Sequence, residues 1–181
     1  MSQMPPPPDS GYYAPPTGPR PAELLDRFLA RLIDGILLAV VNGILVTAII
    51  IGTIMGSSAS VIGTGGSYAA ALVSSLVSAA IYLGYFTFME ATRGKTIGKM
   101  VMKLRTVGPN GGNPTVEQAA RRNIWMGFGV LGIIPIIGGI IGAIGELVAV
   151  IMIAVGINND PVNRQAWHDK FAGGTRVIKE G

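Results

Sequence analysis

The sequence predicts an all-α membrane protein: a four-helix transmembrane bundle with a small cytoplasmic two-stranded element and a disordered proline-rich N-terminal tail. Only 13% of the residues are charged, whereas a soluble domain usually has about 25%. The mean hydropathy is +0.49. No charged residue occurs between positions 35 and 89. Long apolar stretches bounded by Lys and Arg are typical of a multi-pass membrane protein.

Composition excludes several kinds of site. The 181 residues include no cysteine, so a disulfide framework, a thiol nucleophile and a thiolate metal site are impossible. One histidine cannot build a conventional histidine-based metal site. We therefore predict no catalytic residue, no metal and no cofactor. The net charge of +4 comes from cations near the membrane ends and requires no nucleic-acid partner.

The chain divides into a tail, 1–22, and a membrane domain, 23–180. Eight residues of the tail are proline, a composition that favours polyproline II or a solvated tether over a packed core. The apolar pattern of the membrane domain places its helices at about 23–54, 68–90, 115–134 and 136–157.

The first predicted helix begins with charges on one face. Arg27, Arg31 and Asp34 are spaced i, i+4 and i+7. Asp34 would lie roughly 9 Å inside an apolar core that begins near residue 28. Because an unpaired carboxylate there costs about 2.5–3.5 kcal/mol, we expect it to pair with Arg31. The pair is either a structural anchor or part of an ion- or proton-handling site.

Basic residues set the orientation of the chain. The loop at 91–118 contains several of them, whereas the first loop, at 56–67, contains none. The positive-inside rule then places the second loop and both termini in the cytoplasm. Residues 101–107 alternate in polarity and predict a short strand in this loop.

The apolar stretch at 123–159 is long enough to cross twice. A basic tail follows it, so an even number of crossings keeps that tail in the cytoplasm. Pro135 and Gly138-Gly139 supply the break between two helices. A short or re-entrant third helix is the alternative.

Glu146 is the only charge in this stretch and lies near the middle of the predicted fourth helix. Gly138, Gly142 and Glu146 share one face, so the carboxylate lies on a surface suited to close helix packing. It is neutral, or paired with an Arg or with Asn42 of another helix. Asn42 is expected to make an interhelical hydrogen bond. Functional and packing roles for Glu146 both remain open.

Three segments resemble the RDD family of bacterial membrane proteins. RFLARLID at 27–34 is similar to the family's R-F-x-A-x-x-I-D, and GKTIGKMVMKLRTV at 94–107 resembles T-x-G-K-x-x-x-G-L-R-V-V. The third segment, at 163–178, resembles R-Q-x-x-H-D-x-x-A-G-T-x-V-V, with an extra glycine at 174. A lysine at 103 replaces a family glycine. The Arg and two Asp of the family name map onto Arg27, Asp34 and Asp169. The cytoplasmic motif residues are Gly94, Lys95, Arg105, His168 and Asp169.

The resemblance implies a cytoplasmic platform in which strand 104–107 pairs with 175–178. This pairing requires the loop and the tail to be on the same side, which again favours two crossings between 123 and 159. The resemblance also implies location in the bacterial inner membrane, in contact with lipid. It says little about activity, although sodium/proton antiport has been attributed to some relatives.

Two functions follow from these observations. The first is a small oligomeric cation/proton transporter for a monovalent cation. Asp34 and Glu146 would couple the ions, with Arg27 or Arg31 as the counter-charge. The second is an accessory or assembly subunit of a larger membrane complex. The sequence shows no nucleophile–base pair or nucleotide loop, so we do not predict an enzyme.

Overall fold

The computed structural model describes residues 18–56, 64–134 and 137–180. The predicted disorder of residues 1–17 and the predicted break at Pro135 fall outside this part of the chain. The structure is mostly helical, at 71%. Its helices are α1 (Leu24–Gly56), α2 (Thr64–Arg93), α3 (Ile97–Val101), α4 (Val116–Asn123), a 3-10 helix (Ile124–Ile133), α5 (Gly138–Asn159) and α6 (Trp167–Phe171). Its strands are β1 (Arg20–Pro21), β2 (Leu104–Val107) and β3 (Arg176–Lys179).

Three helices of the described chain are long and apolar enough to cross a membrane. They are Leu24–Gly52 within α1, Ala71–Arg93 within α2, and α5 as a whole. This confirms the membrane class of the fold, but four α-helical spans are not found.

The predicted third span, 115–134, is instead two short elements. α4 begins after the N-cap residue Thr115, whose side chain accepts a hydrogen bond from the Gln118 backbone N–H in a capping box. The chain then continues as the 3-10 helix, in a glycine-containing sequence of poor α-helix propensity. Because a 3-10 helix rises about 2.0 Å per residue, this segment covers roughly 20 Å.

The 3-10 helix lies against the first turns of α5. A Cβ atom added to Gly142 would come within 2.7 Å of the Phe128 carbonyl oxygen, and one added to Gly138 would collide with the Leu131 carbonyl. Only glycine permits this separation of the two backbones. The two elements therefore form a hairpin that leaves the sheet after β2 and returns to it before β3.

The sheet has the strand order β1-β3-β2, with both pairings antiparallel. Arg105 pairs with Ile178 and Thr106 with Val177, which confirms the predicted pairing of the loop strand with the tail strand. The predicted element had two strands, and β1 adds a third. Pro21 is tolerated because it occupies an edge strand. Residues 20 and 21, assigned to the disordered tail from sequence, are part of this sheet.

The core of the described chain lies at the sheet end of the molecule. Ala22, Ala30, Leu104 and Val177 form a buried apolar cluster beneath the strands. In α1 the last buried residue among those described is Leu38. The membrane halves of the helices therefore present their apolar side chains outwards, and the sheet end fixes how the helices meet.

Candidate functional site

Asp34 is fully buried and anchors α3 to α1. Its carboxylate accepts hydrogen bonds from Tyr85 Oη at 2.7 Å, Thr96 Oγ1 at 2.6 Å and the Gly98 backbone N–H at 2.7 Å. Thr96 is also the N-cap of α3. The α3 helix approaches α1 so closely that a Cβ atom at Gly98 would collide with the Ala30 carbonyl.

The expected pair between Arg31 and Asp34 does not form. Arg31 Nη2 donates instead to Asn123 Oδ1 at 2.7 Å, and the guanidinium lies 3.9 Å from the centroid of the Phe86 ring. Stacking on an aromatic face compensates part of the cost of moving the cation out of water. The second nitrogen, Nη1, is buried and has no hydrogen-bond partner among the described residues.

Glu90 is fully buried beside two cations. Lys99 Nζ donates to Glu90 and, at 2.6 Å, to Thr106 Oγ1. Arg122 Nη1 lies 3.2 Å from each Glu90 carboxylate oxygen, and Asn123 Nδ2 donates to Glu90 Oε2 at 3.2 Å. These contacts join the end of α2 to α3, β2 and α4.

Asp169 connects the C-terminal tail to the helices. Arg122 Nε donates to its Oδ1 at 2.8 Å, and Arg27 Nη1 to its Oδ2 at 3.1 Å. Arg27 also donates to the backbone carbonyl of Arg164 at 2.7 Å. Arg122 thus bridges two buried carboxylates. We use the term buried charge cluster for the buried residues Arg27, Asp34, Glu90, Lys99, Arg122 and Asp169 together with the half-buried Arg31.

Burial and charge act in opposite directions on the pKa values of this cluster. Burial alone would raise the pKa of Asp169, but Arg122 and the other nearby cations hold it well below its usual range. Burial lowers the pKa of Lys99 to about 7 although Glu90 favours its charged form. Burial lowers the pKa of His168 to about 3, against the effect of Asp169. His168 is therefore neutral at physiological pH.

The neutral His168 makes stability fall in mild acid. An unfolded histidine has a pKa of about 6.5, so the unfolded chain binds a proton that the folded chain does not bind until the pH approaches 3. Stability is therefore lost as pH drops below about 6.5, by up to about 1.4 kcal/mol per pH unit. We expect His168→Phe to flatten the dependence of the melting temperature on pH between about 5 and 6.5. Equal slopes for both proteins would contradict this account of His168.

The other motif residues serve the sheet end. Gly94 has φ +67° and ends α2, where a residue with a side chain would be strained. Lys95 Nζ lies 2.6 Å from Glu180, and Arg105 donates to Asn113 at 2.8 Å. These contacts tie β2 and the loop after α2 to the end of the chain.

Glu146 lies beside a cavity of about 370 Å³ between the candidate spans. Arg31, Ser75, Ser78, Tyr82 and Trp125 also line this cavity. Glu146 has no ion-pair partner within the described chain. Its neighbour across the cavity wall is Gly129, where an added Cβ atom would lie 3.2 Å from Glu146 Oε1.

Gly138, Gly142 and Asn42 occupy packing positions of different kinds. Both glycines are buried against the 3-10 helix. Their spacing predicted a closely packed neighbour but did not identify it. Asn42 is half-buried, and its Oδ1 accepts no hydrogen bond from the described residues. The interhelical bond expected for Asn42 is therefore absent from this part of the chain.

Several members of the site were not singled out from sequence. Glu90 and Arg122, which each make several buried polar contacts, were not predicted as site residues. Thr96, Lys99 and Asn123 received no site role. The sequence shows only that Glu90, Arg122 and Asn123 are polar residues at the ends of apolar stretches. The tertiary fold brings them together.

These features define a class: a multi-pass helical membrane protein with a three-stranded sheet and a buried charge cluster at one end. The model of the RDD family matches residues 21–173. The chain belongs to the RDD family, as its motifs predict. No curated protein and no solved structure matches the chain. Arg27 and Asp169 form a buried salt bridge, and Asp34 accepts a hydrogen bond from Thr96, the N-cap of α3.

Proposed function

We propose that this protein is a small cation/proton exchanger of the bacterial inner membrane, with Glu146 as its coupling carboxylate. One observation carries the proposal: Glu146 lines a cavity between the candidate spans and forms no ion pair within the described chain. The other carboxylates of the three spans are engaged. Asp26 pairs with Lys179 at 2.7 Å, Asp34 accepts three hydrogen bonds, and Glu90 binds Lys99 and Arg122.

A carboxylate in a poorly solvated cavity favours any cation that neutralises it, and a proton and a monovalent metal ion compete for it. Such competition is the basis of exchange. Arg31 lies roughly 10 Å along α1 from its start, and Glu146 roughly 20 Å along α5 from the sheet end, at about 1.5 Å per residue. The cavity covers the depth between them, and Arg31 supplies the counter-charge. Asp34 has a structural role in this proposal.

In this proposal the sheet end lies in the cytoplasm, because the sheet end contains the basic loop and the basic tail. It also requires self-association, since the part of α1 beyond Leu38 contains no buried residue among those described. It requires no cofactor, catalytic residue or nucleic acid.

The experiment is an exchange assay in proteoliposomes with a trapped pH-sensitive dye and an imposed Na⁺ or K⁺ gradient. We expect Glu146→Gln to reduce the exchange rate at least about tenfold, because the neutral amide cannot alternate between two cations. Glu117→Gln is the matched control, since Glu117 is exposed on α4 and pairs only with Arg121. A wild-type rate in Glu146→Gln, or no exchange by the wild-type protein with either ion, would overturn the proposal.

A second candidate, an accessory subunit of a larger membrane complex, is favoured by a different observation. α1 has no buried residue beyond Leu38 among those described, and Asn42 Oδ1 is left without a hydrogen bond. A partner helix would satisfy both. Extraction in mild detergent followed by mass measurement of the intact particle separates the two candidates. A stoichiometric foreign subunit supports the accessory role, and a particle composed only of this chain supports the exchanger.

A further inference from the structure

A second and larger space separates α1 from α5 on the outside of the helices. This crevice has a volume of about 840 Å³. Its walls are apolar side chains of the two candidate spans, including Phe28, Leu32, Ile36, Val150 and Ile153. Its sheet end is different, because Arg27, Arg31, Lys99, Arg122 and His168 line it there. The crevice is therefore amphipathic along its length, with cations at one end.

The charges at this end do not balance. The buried charge cluster contains four cations (Arg27, Arg31, Lys99 and Arg122) and three carboxylates (Asp34, Glu90 and Asp169). His168 is neutral and adds no charge. Below a pH of about 7, where Lys99 is protonated, one positive charge is left over in a region with little water, where an uncompensated ion is unfavourable.

Two polar nitrogens at the crevice have no hydrogen-bond partner. Arg31 Nη1 and His168 Nδ1 are both buried and unsatisfied within the described chain. The His168 side chain is only 4% exposed, so bulk water does not supply the missing contact. Buried polar atoms in folded proteins are normally paired. The crevice thus combines an excess charge with two unsatisfied nitrogens, which are closed to solvent and reach a ligand in the crevice after a side-chain rotation.

We propose that the crevice between α1 and α5 binds one anionic phospholipid, with its phosphate at Arg31 and His168 and an acyl chain between the two helices. The phosphate supplies the missing negative charge and accepts charge-assisted hydrogen bonds from the guanidinium. Basic pockets between membrane helices recognise lipid head groups in this way. The apolar walls select a lipid over a soluble anion, because both belong to candidate spans. The crevice shares Arg31, Gly35 and Trp125 with the Glu146 cavity, but Ala39 and the apolar walls named above line only the crevice, so lipid binding does not depend on exchange.

The test is native mass spectrometry of the full-length protein in nonionic detergent, titrated with dioleoyl phosphatidylglycerol or dioleoyl phosphatidylcholine. We expect phosphatidylglycerol to bind at least about tenfold more tightly, one molecule per chain. Ala39→Trp fills the crevice and leaves the buried charge cluster intact, so it should remove this preference. Ala48→Trp is the matched control, because nine residues along a helix correspond to about half a rotation.

Arg31→Gln removes the excess charge and should lower the affinity for phosphatidylglycerol to that for phosphatidylcholine. If this variant does not fold, Ala39→Trp still decides the matter. Equal affinity of the wild-type protein for the two lipids would overturn the proposal, as would undiminished binding by Ala39→Trp. Binding of inorganic phosphate as tight as that of phosphatidylglycerol would also overturn the proposal, in favour of a soluble anion.

Discussion

Replacing Arg122 with leucine is expected to destabilise the folded protein by about 3–5 kcal/mol, the usual cost of removing one partner from a buried ion pair. Arg122 is 3% exposed and contacts both Glu90 and Asp169, which are each fully buried. Without it, Glu90 keeps Lys99 and Asp169 keeps Arg27, but each carboxylate loses a charged donor. The connection between α2, α4 and the tail is lost as well.

Arg121→Leu is the matched control for this substitution. Arg121 precedes Arg122 on α4, its side chain is 52% exposed, and it pairs with an exposed glutamate one turn away. A pair of this kind contributes about 0–1 kcal/mol. The measurement is the melting temperature in detergent, monitored by the loss of monodisperse protein. Equal melting temperatures for the two variants would show that the buried charge cluster does not stabilise the fold.

Gly98→Ala is expected to have the second-largest effect. The added methyl group would collide with the Ala30 carbonyl and lie 3.0 Å from Asp34 Cγ. The Ala30 carbonyl belongs to the backbone of α1, so the collision is relieved only by moving α3 away. That movement breaks the hydrogen bond of 2.7 Å from the Gly98 N–H to Asp34. We expect a loss of about 1–3 kcal/mol or more, as in other over-packed cores.

Gly43→Ala provides the comparison for Gly98→Ala. Gly43 lies in α1, and an added Cβ atom there would have no other atom within 4 Å. Alanine in place of an unobstructed helical glycine normally stabilises a helix by about 0.5–1 kcal/mol. The two melting temperatures should therefore shift in opposite directions. Gly98→Ala with the stability of the wild-type protein would contradict the close contact between α1 and α3.

Features governed by local pattern were predictable from the sequence. Apolar stretches longer than about 20 residues identify spans, and the three candidate spans lie where such stretches occur. The alternation at 101–107 and the family motif located the strand pair. β1 was missed because two residues, one of them proline, have no recognisable strand pattern. The predicted α-helical span at 115–134 was wrong because the length of the apolar stretch that begins at residue 123 does not reveal a change from α-helix to 3-10 helix.

The candidate site was less predictable, because its contacts join distant positions. A local Arg31–Asp34 pair is what the helical spacing favours, but Tyr85, Thr96 and Gly98 supply three donors to Asp34. Arg31 turns instead to the ring of Phe86. Glu90 and Arg122 each stand at the end of an element, and sequence alone cannot pair two such residues. Glu146 was recognisable because an isolated charge in an apolar stretch is conspicuous.

We expect the buried charge cluster to stabilise the fold and Glu146 to bind the exchanged cations. The most direct test measures the melting temperature and the exchange rate on the same preparations of wild-type protein and Glu146→Gln. We expect an unchanged melting temperature together with an exchange rate at least about tenfold lower, because Glu146 has no ion pair in the described chain to lose. Exchange at the wild-type rate by a fully folded Glu146→Gln protein would contradict the account.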